Sequence, residues 1–102
     1  MSTAVDIGTL IVQTVGVLGG RPRIAGTRIS VATITMLQRQ GVSPESIAAE
    51  EYPHLSLAQI YAALAYYHAN RRAIDDEIEA ADREYEALAA AARQDGQGLP
   101  RG

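Results

Sequence analysis

Hydrophobic and polar positions along the chain change their period once, at a segment rich in glycine and arginine. Before it, the run Leu10–Val15 is short and mostly β-branched, which favours a strand. Within that segment, Gly19–Val31, Arg23-Ile24 and Arg28-Ile29 alternate polar with apolar residues around Ala25-Gly26-Thr27, which predicts a short hairpin or bent strand pair. After it, apolar residues recur with helical spacing. The pattern predicts a mainly α protein with a short N-terminal β-ribbon.

Three helices are predicted after the ribbon, and each begins at a serine that is flanked by an apolar pair suited to a hydrophobic staple. The predicted N-caps are Ser30, Ser43 and Ser56. Gly41 is expected to end the first helix, and Pro53 to end the second near Glu51. A short helix, a tight connector and a longer helix form the layout of a helix-turn-helix trihelical unit, which any small helical bundle can also show.

From Ser56 to Gln94 the sequence contains neither proline nor glycine, which predicts helix. Within this stretch, a stripe of residues is spaced alternately by four and three, as in the seam of a coiled coil. The stripe consists of Ile60, Leu64, Tyr67, Arg71, Ile74, Ile78, Ala81, Tyr85, Leu88 and Ala92. Either one helix runs unbroken, or Asn70 ends a first helix and a second follows with a bend. Residues 72–93 hold too many charges and alanines to lie inside a core, so the stripe is expected to need another surface.

These patterns divide the chain into three parts. Residues 1–70 are expected to form the ribbon and helical domain, residues 71–94 an acidic helical extension, and residues 95–102 a flexible tail. The 102 residues suffice for one modest core, which must be aliphatic because Phe and Trp are absent. Short strands with free edges and a thin core predict a homodimer or another partner.

Composition and charge narrow the class of protein. The absence of cysteine excludes disulfides and thiolate metal sites, and no apolar run has the length of a membrane span or the form of a signal peptide, so a cytoplasmic protein is expected. The net charge is −3, with four arginines against two carboxylates in residues 1–49 and seven carboxylates against three arginines in residues 71–86. This distribution suits an anionic partner for residues 1–49 and a cationic partner for residues 71–86. The alternative is that both charged surfaces are only solvated.

Candidates for catalysis are few. His54 and His68 have no metal-ligand spacing, and the carboxylates of Asp75-Asp76-Glu77 and Glu79 point in different directions around a helix. No nucleophile elbow or phosphate-binding loop is present. We expect no enzyme, no metal, no cofactor and no small-molecule substrate.

Several motifs of the chain resemble those of one known family, DUF433, over about Leu10 to Asn70. The matching segments are Gly19–Val31, Gly41–Ala48, Tyr52–Ser56 and Ala62–Tyr67. The resemblance implies a bacterial helix-turn-helix protein that carries a wing or β-hairpin. It also implies a protein without catalysis, commonly encoded beside a PIN-like ribonuclease and regarded as the VapB-like antitoxin of that toxin.

Under this interpretation, the ribbon and trihelical unit dimerise and bind operator DNA, and the acidic C-terminal helix covers a basic RNA-binding groove on the toxin. The candidate DNA-binding residues are Arg21, Arg23, Arg28, Arg39, Ser56 and Gln59. The candidate partner-binding residues are Arg71, Arg72, Ile74, Ile78, Tyr85 and Leu88. Two alternatives are a stand-alone DNA-binding regulator, in which Gln59 reads an adenine edge, and a dimerisation or adaptor module that binds no DNA.

Overall fold

The computed structural model describes the backbone of residues 5–98 and the side chains of residues 5–93. The strands and helices in chain order are β1 (Ile11–Val12), β2 (Arg23–Ile24), α1 (Val31–Arg39), α2 (Pro44–Ser46), α3 (Leu57–Ala69) and α4 (Arg71–Gly98). Ile7–Thr9 and Leu18–Gly20 form single 3₁₀ turns, and α2 continues into a π-helical turn over Ile47–Glu51. The fold is mainly α with a small N-terminal sheet, as the pattern predicts.

The ribbon is shorter than the sequence predicts. β1 and β2 pair antiparallel, with Ile11 opposite Ile24 and Val12 opposite Arg23. The ladder contains only these two pairs, because β2 itself is only two residues long and follows the 3₁₀ turn at Leu18–Gly20 and Pro22 closely. The predicted strand over Leu10–Val15 is therefore confirmed only at its centre.

The three predicted helix starts are confirmed. The hydroxyls of Ser30, Ser43 and Ser56 each accept a hydrogen bond from the backbone N–H three residues later, at 3.1, 3.1 and 3.2 Å. At the third start Gln59 Oε1 also accepts from the backbone N–H of Ser56 at 2.7 Å, which completes a capping box. Gly41, at φ +92°, follows the end of α1 in a conformation that favours glycine.

The core is aliphatic and lies between α1, α3, the ribbon and the start of α4. It buries isoleucine, leucine, valine and alanine side chains together with Tyr67, and the partly buried Tyr52 and Tyr66 pack against it. Its larger members are Ile24, Val31, Ile34, Ile47, Leu55, Ile60, Leu64, Tyr67, Ile74 and Ile78. The burial of these side chains is the main stabilising contribution to a fold with little sheet.

The long helix of residues 56–94 is broken, which decides between the two alternatives that the sequence left open. α3 ends at Ala69, Asn70 has φ −135° and ψ 42°, and α4 begins at Arg71. The Asn70 side chain donates to the Tyr66 carbonyl at 3.1 Å and so closes the end of α3. The division predicted at residue 70 thus coincides with a break between helices.

The predicted end of the last helix is wrong by four residues. α4 remains helical through Gly98, beyond the predicted end at Gln94, and residues 99–102 of the predicted tail lie outside the described residues. From Ile78 to its end, α4 extends about 30 Å at ~1.5 Å per residue. The molecule measures 68 × 28 × 22 Å, because this part of α4 projects beyond the core. Within residues 5–98, no helix has both the length and the apolar character that crossing a membrane requires.

Candidate functional site

The two halves of α4 have different environments. Ile74 and Ile78 are only 1% and 5% exposed and pack in the core of their own chain. The prediction that these two residues contact a partner is therefore wrong for the folded chain. The break at Asn70 is the reason, because it turns the first turns of α4 onto α1 and α3 instead of letting them continue past the core.

The second half of α4 carries an unpartnered apolar stripe. Tyr85 and Leu88 are 73% and 65% exposed, and Ala81 and Ala92 continue the same spacing on either side. We call Ala81, Tyr85, Leu88 and Ala92 the distal stripe. Large apolar side chains at this exposure on one face of a projecting helix are typical of a surface that docks into a groove.

Carboxylates border the distal stripe. Residues 79–93 contain Glu79, Asp82, Glu84 and Glu86 against Arg83 and Arg93, and Arg83 already pairs with Glu79 at 3.3 Å. Asp82 and Glu84 occupy the two positions that directly flank the apolar seam of a heptad pattern. The distal stripe is therefore expected to bind a surface with basic residues on its flanks more strongly than a second acidic helix.

A polar cluster fastens the first half of α4 to the helices beneath it. The Tyr67 hydroxyl donates to Asp75 Oδ1 at 2.9 Å, and Arg39 forms an ion pair with the same oxygen. Arg39 also donates to the Tyr67 hydroxyl oxygen at 3.0 Å, with its guanidinium 5.6 Å from the ring centre. The hydrogen bond from Tyr67, together with the contact with Arg39, lowers the pKa of Asp75, while the hydrogen bond to Tyr67 raises the pKa of Arg39.

Replacing Asp75 by asparagine is expected to lower the melting temperature near neutral pH, because the ion pair with Arg39 is lost. The pKa of Asp75 is lower in the folded than in the unfolded chain. Its stabilisation is therefore present above the ordinary carboxyl pKa of 3.8 and disappears as the pH falls through the folded-state value. Thermal melts of wild type and Asp75→Asn should converge as the pH falls below the folded-state pKa of Asp75.

The matched control for this pH series is Asp76→Asn, which removes the same charge from an exposed neighbouring position on α4. Its melting temperature should follow that of the wild type throughout. A difference between wild type and Asp75→Asn that stays constant from neutral to acid pH would contradict the role of the ionised carboxylate.

Other charged groups of α4 lie beside the cluster. The Arg71 guanidinium lies 5.7 Å from the centre of the Tyr67 ring, whereas Arg72 is exposed. Glu77 is partly buried, and its Oε2 has no hydrogen-bond partner among the described residues. Burial raises the pKa of Glu77, and the charge of Arg21 partly offsets that effect. The first half of α4 is thus held by its isoleucines and Asp75 rather than by Glu77.

Most of the candidate DNA-binding residues make contacts within the chain. Ser56 and Gln59 bond to each other in the capping box, and Arg39 contacts Tyr67 and Asp75. The face of α2 and its π-helical turn beside α3 is acidic, with exposed Glu45, Glu50 and Glu51. The Tyr61 hydroxyl donates to Glu45 at 2.9 Å, and this hydrogen bond raises the pKa of Tyr61. Carboxylates at this position repel phosphates.

The ribbon arginines differ among themselves. Arg23 is half-buried and donates to the Thr27 carbonyl at 2.9 Å and to the Thr14 hydroxyl at 3.0 Å. Arg21 donates through Nε to the Leu18 carbonyl at 2.7 Å, and Arg28 is exposed near the hairpin turn. Arg23 therefore braces the ribbon, and Arg28 is the ribbon arginine most open to a ligand.

A groove of about 280 Å³ lies between the N-terminal segment and α3. Its lining is uncharged and consists of Ile7, Gly8, Ile11, Ala62, Ala65, Tyr66 and Ala69. Among the side chains of residues 5–93, no group of three or more histidine and acidic residues is placed to hold a metal ion.

Sequence reasoning missed the Arg39–Tyr67–Asp75 cluster and the groove. Arg39 lies 28 residues from Tyr67 and 36 from Asp75, so no local spacing joins them. The groove depends on how the first turn packs against α3, which hydrophobic periodicity does not reveal. The exposed pair Tyr85 and Leu88 was found because its spacing continues the helical stripe.

Comparisons with known proteins found similarity over the ribbon and the helices that follow it. The family model described as "Protein of unknown function (DUF433)" matches residues 11–67. A crystal structure of a DUF433 member protein from Anabaena variabilis ATCC 29413 is similar, with 39% sequence identity and a TM-score of 0.65 over 70% of this chain and 69% of that one. No curated protein matches the chain significantly.

Proposed function

The chain belongs to the DUF433 family, and on that premise we propose that it is the antitoxin of a type II toxin–antitoxin pair, which binds and inhibits a PIN-like ribonuclease. The supporting observation is the distal stripe, where Tyr85 and Leu88 stand exposed on a helix that projects beyond the core. Such an antitoxin works by binding, so it needs no catalytic group of its own. It would act in the cytoplasm.

The chemistry of the distal stripe suits this partner. A ribonuclease that binds RNA presents a basic groove, because phosphates are bound by lysine and arginine. Tyr85 and Leu88 would fill apolar pockets in such a groove, with Asp82 and Glu84 facing its basic rim. The helix would exclude RNA by occupying the place of the phosphate backbone.

Operator binding, the other half of the predicted function, has less support from the described contacts. Gln59 and Arg39 are engaged within the chain, and Glu45, Glu50 and Glu51 border the helix expected to read the bases. Arg28 remains open for a phosphate contact. We therefore base the proposal on binding of the toxin protein.

The test is an RNA cleavage assay with the product of the gene next to this one, which the proposal expects to be a PIN-like ribonuclease. Full-length chain added in equimolar amount is expected to stop cleavage and to co-purify with the ribonuclease. Unaltered cleavage at a large excess of the chain would contradict the proposal. A gel-shift assay with promoter DNA is run in parallel. A shift of the DNA without inhibition of the ribonuclease would point to the stand-alone regulator. Absence of both the shift and the inhibition would point to the adaptor module.

A further inference from the structure

The exposed side of α3 next to α2 is a surface that the proposed function does not use. Leu57 and Tyr61 lie one helical turn apart on α3 and are 43% and 49% exposed, and Ala58 beside them is exposed as well. We call Leu57, Ala58 and Tyr61 the α3 face. Two large apolar side chains that stay exposed side by side, on a helix whose other side is buried in the core, are suited to contact with another molecule.

The segment that forms and borders the α3 face is acidic. Residues 40–70 contain Glu45, Glu50 and Glu51 and neither arginine nor lysine. All three carboxylates are exposed, and Glu45 accepts a hydrogen bond from the Tyr61 hydroxyl at 2.9 Å. The apolar side chains of the α3 face therefore lie beside carboxylates that α2 and its π-helical turn supply.

The two arginines that bound this segment in the sequence do not offset its carboxylates. Arg39 precedes the segment and Arg71 follows it, and their guanidinium groups lie 5.6 and 5.7 Å from the centre of the Tyr67 ring. Tyr67 is buried in the core, and at 3.6 residues per turn it lies about 120° around α3 from Tyr61. Both arginines are thus held on a different side of α3 from the α3 face.

Charge complementarity selects the class of partner. Nucleic acids present phosphates, which lysine and arginine bind and carboxylates repel. A second α3 face would bring the same carboxylates together, which is unfavourable. A basic segment of another protein is attracted by these carboxylates, and its apolar side chains can pack on Leu57 and Tyr61.

We propose that the α3 face binds a basic amphipathic helix of another protein, with the apolar side chains of that helix on Leu57 and Tyr61 and its lysine or arginine side chains beside Glu45, Glu50 and Glu51. The helix that the sequence predicts to read DNA bases would then bind protein instead. The proposal stands apart from the proposed function, since the α3 face and the distal stripe share no residue.

The experiment titrates the isotope-labelled full chain with two short synthetic peptides and follows its amide signals by NMR. One peptide carries leucine and lysine at helical spacing, and the other carries glutamate in place of each lysine. The lysine peptide is expected to shift the amide signals of Glu45, Leu57 and Tyr61, whereas the glutamate peptide and a DNA duplex should leave them in place. The signals of the distal stripe are followed separately, so the two surfaces yield separate dissociation constants.

Glu45→Lys should raise the dissociation constant at the α3 face at least about tenfold, because it replaces an attractive charge by a repulsive one. Asp76→Lys is the matched control, since it makes the same change of charge at an exposed position of α4, and it should change that constant less than about threefold. Leu57→Ala removes an apolar side chain from the α3 face and should also weaken binding. Circular dichroism shows whether each variant is folded.

Three results would overturn the proposal. The lysine peptide could shift signals of the distal stripe alone, or wild type, Glu45→Lys and Leu57→Ala could have equal dissociation constants. A DNA duplex that shifted the signals of the α3 face would assign this face to nucleic acid instead. No ribonuclease enters the experiment, so its failure would leave the proposed function untouched.

Discussion

Replacing Tyr85 and Leu88 together by alanine is expected to weaken inhibition of the ribonuclease by about 30- to 1,000-fold, which corresponds to about 2–4 kcal/mol. Both side chains are mostly exposed in the free chain and would be buried in the complex. Alanine removes the apolar anchors and keeps the helix, because it is the best helix former. The inhibition constant of the double variant in the RNA cleavage assay measures the effect.

The matched control is Arg83→Ala, on the opposite side of α4. It removes only an exposed ion pair with Glu79, whose contribution to stability is a few tenths of a kcal/mol. Its inhibition constant should change less than about threefold. If the double variant and the control inhibited equally well, the distal stripe would not be the toxin-binding surface, even if the chain were an antitoxin.

Replacing Ile74 by alanine is expected to lower the free energy of unfolding by about 2–4 kcal/mol. Ile74 is 1% exposed and packs in the core, so the substitution leaves a cavity beneath the first half of α4. Urea denaturation followed by circular dichroism, at one fixed chain concentration, measures the loss.

Leu88→Ala is the control for this measurement, since it removes a similar aliphatic side chain from the same helix. Leu88 is 65% exposed, so its loss should cost less than about 0.5 kcal/mol of stability. A similar loss of stability in the two variants would show that α4 does not divide into a docked and a free half. The two alanine variants therefore separate folding from partner binding along one helix.

Local signals in the sequence predicted the helices well. Each predicted helix start combines a serine cap with an apolar staple, at Ser30, Ser43 and Ser56. These interactions form within one helical turn, so they do not depend on how the helices later pack. The strand was predicted less well, because a strand is only as long as the segment that pairs with it. Only Ile11 and Val12 pair with β2, although Leu10–Val15 has the composition of a longer strand.

Part of the candidate site could likewise be predicted from local spacing, and part could not. The exposed pair Tyr85 and Leu88 could be predicted, since helical spacing places them on one face. The burial of Ile74 and Ile78 could not, because the same spacing continues through both halves of α4. Only the break at Asn70 and the contact of Asp75 with Arg39 and Tyr67 bring the first half onto the core.

The sequence by itself determined where each helix begins, the aliphatic character of the core, the acidic bias of the last helix and the family to which the chain belongs. Each of these depends on residue type and short-range spacing. Tertiary structure alone decided which half of α4 is buried, which arginines are engaged within the chain and where an uncharged groove opens beside α3. Those features arise from contacts between residues far apart in the chain, and such contacts depend on how the elements pack against one another.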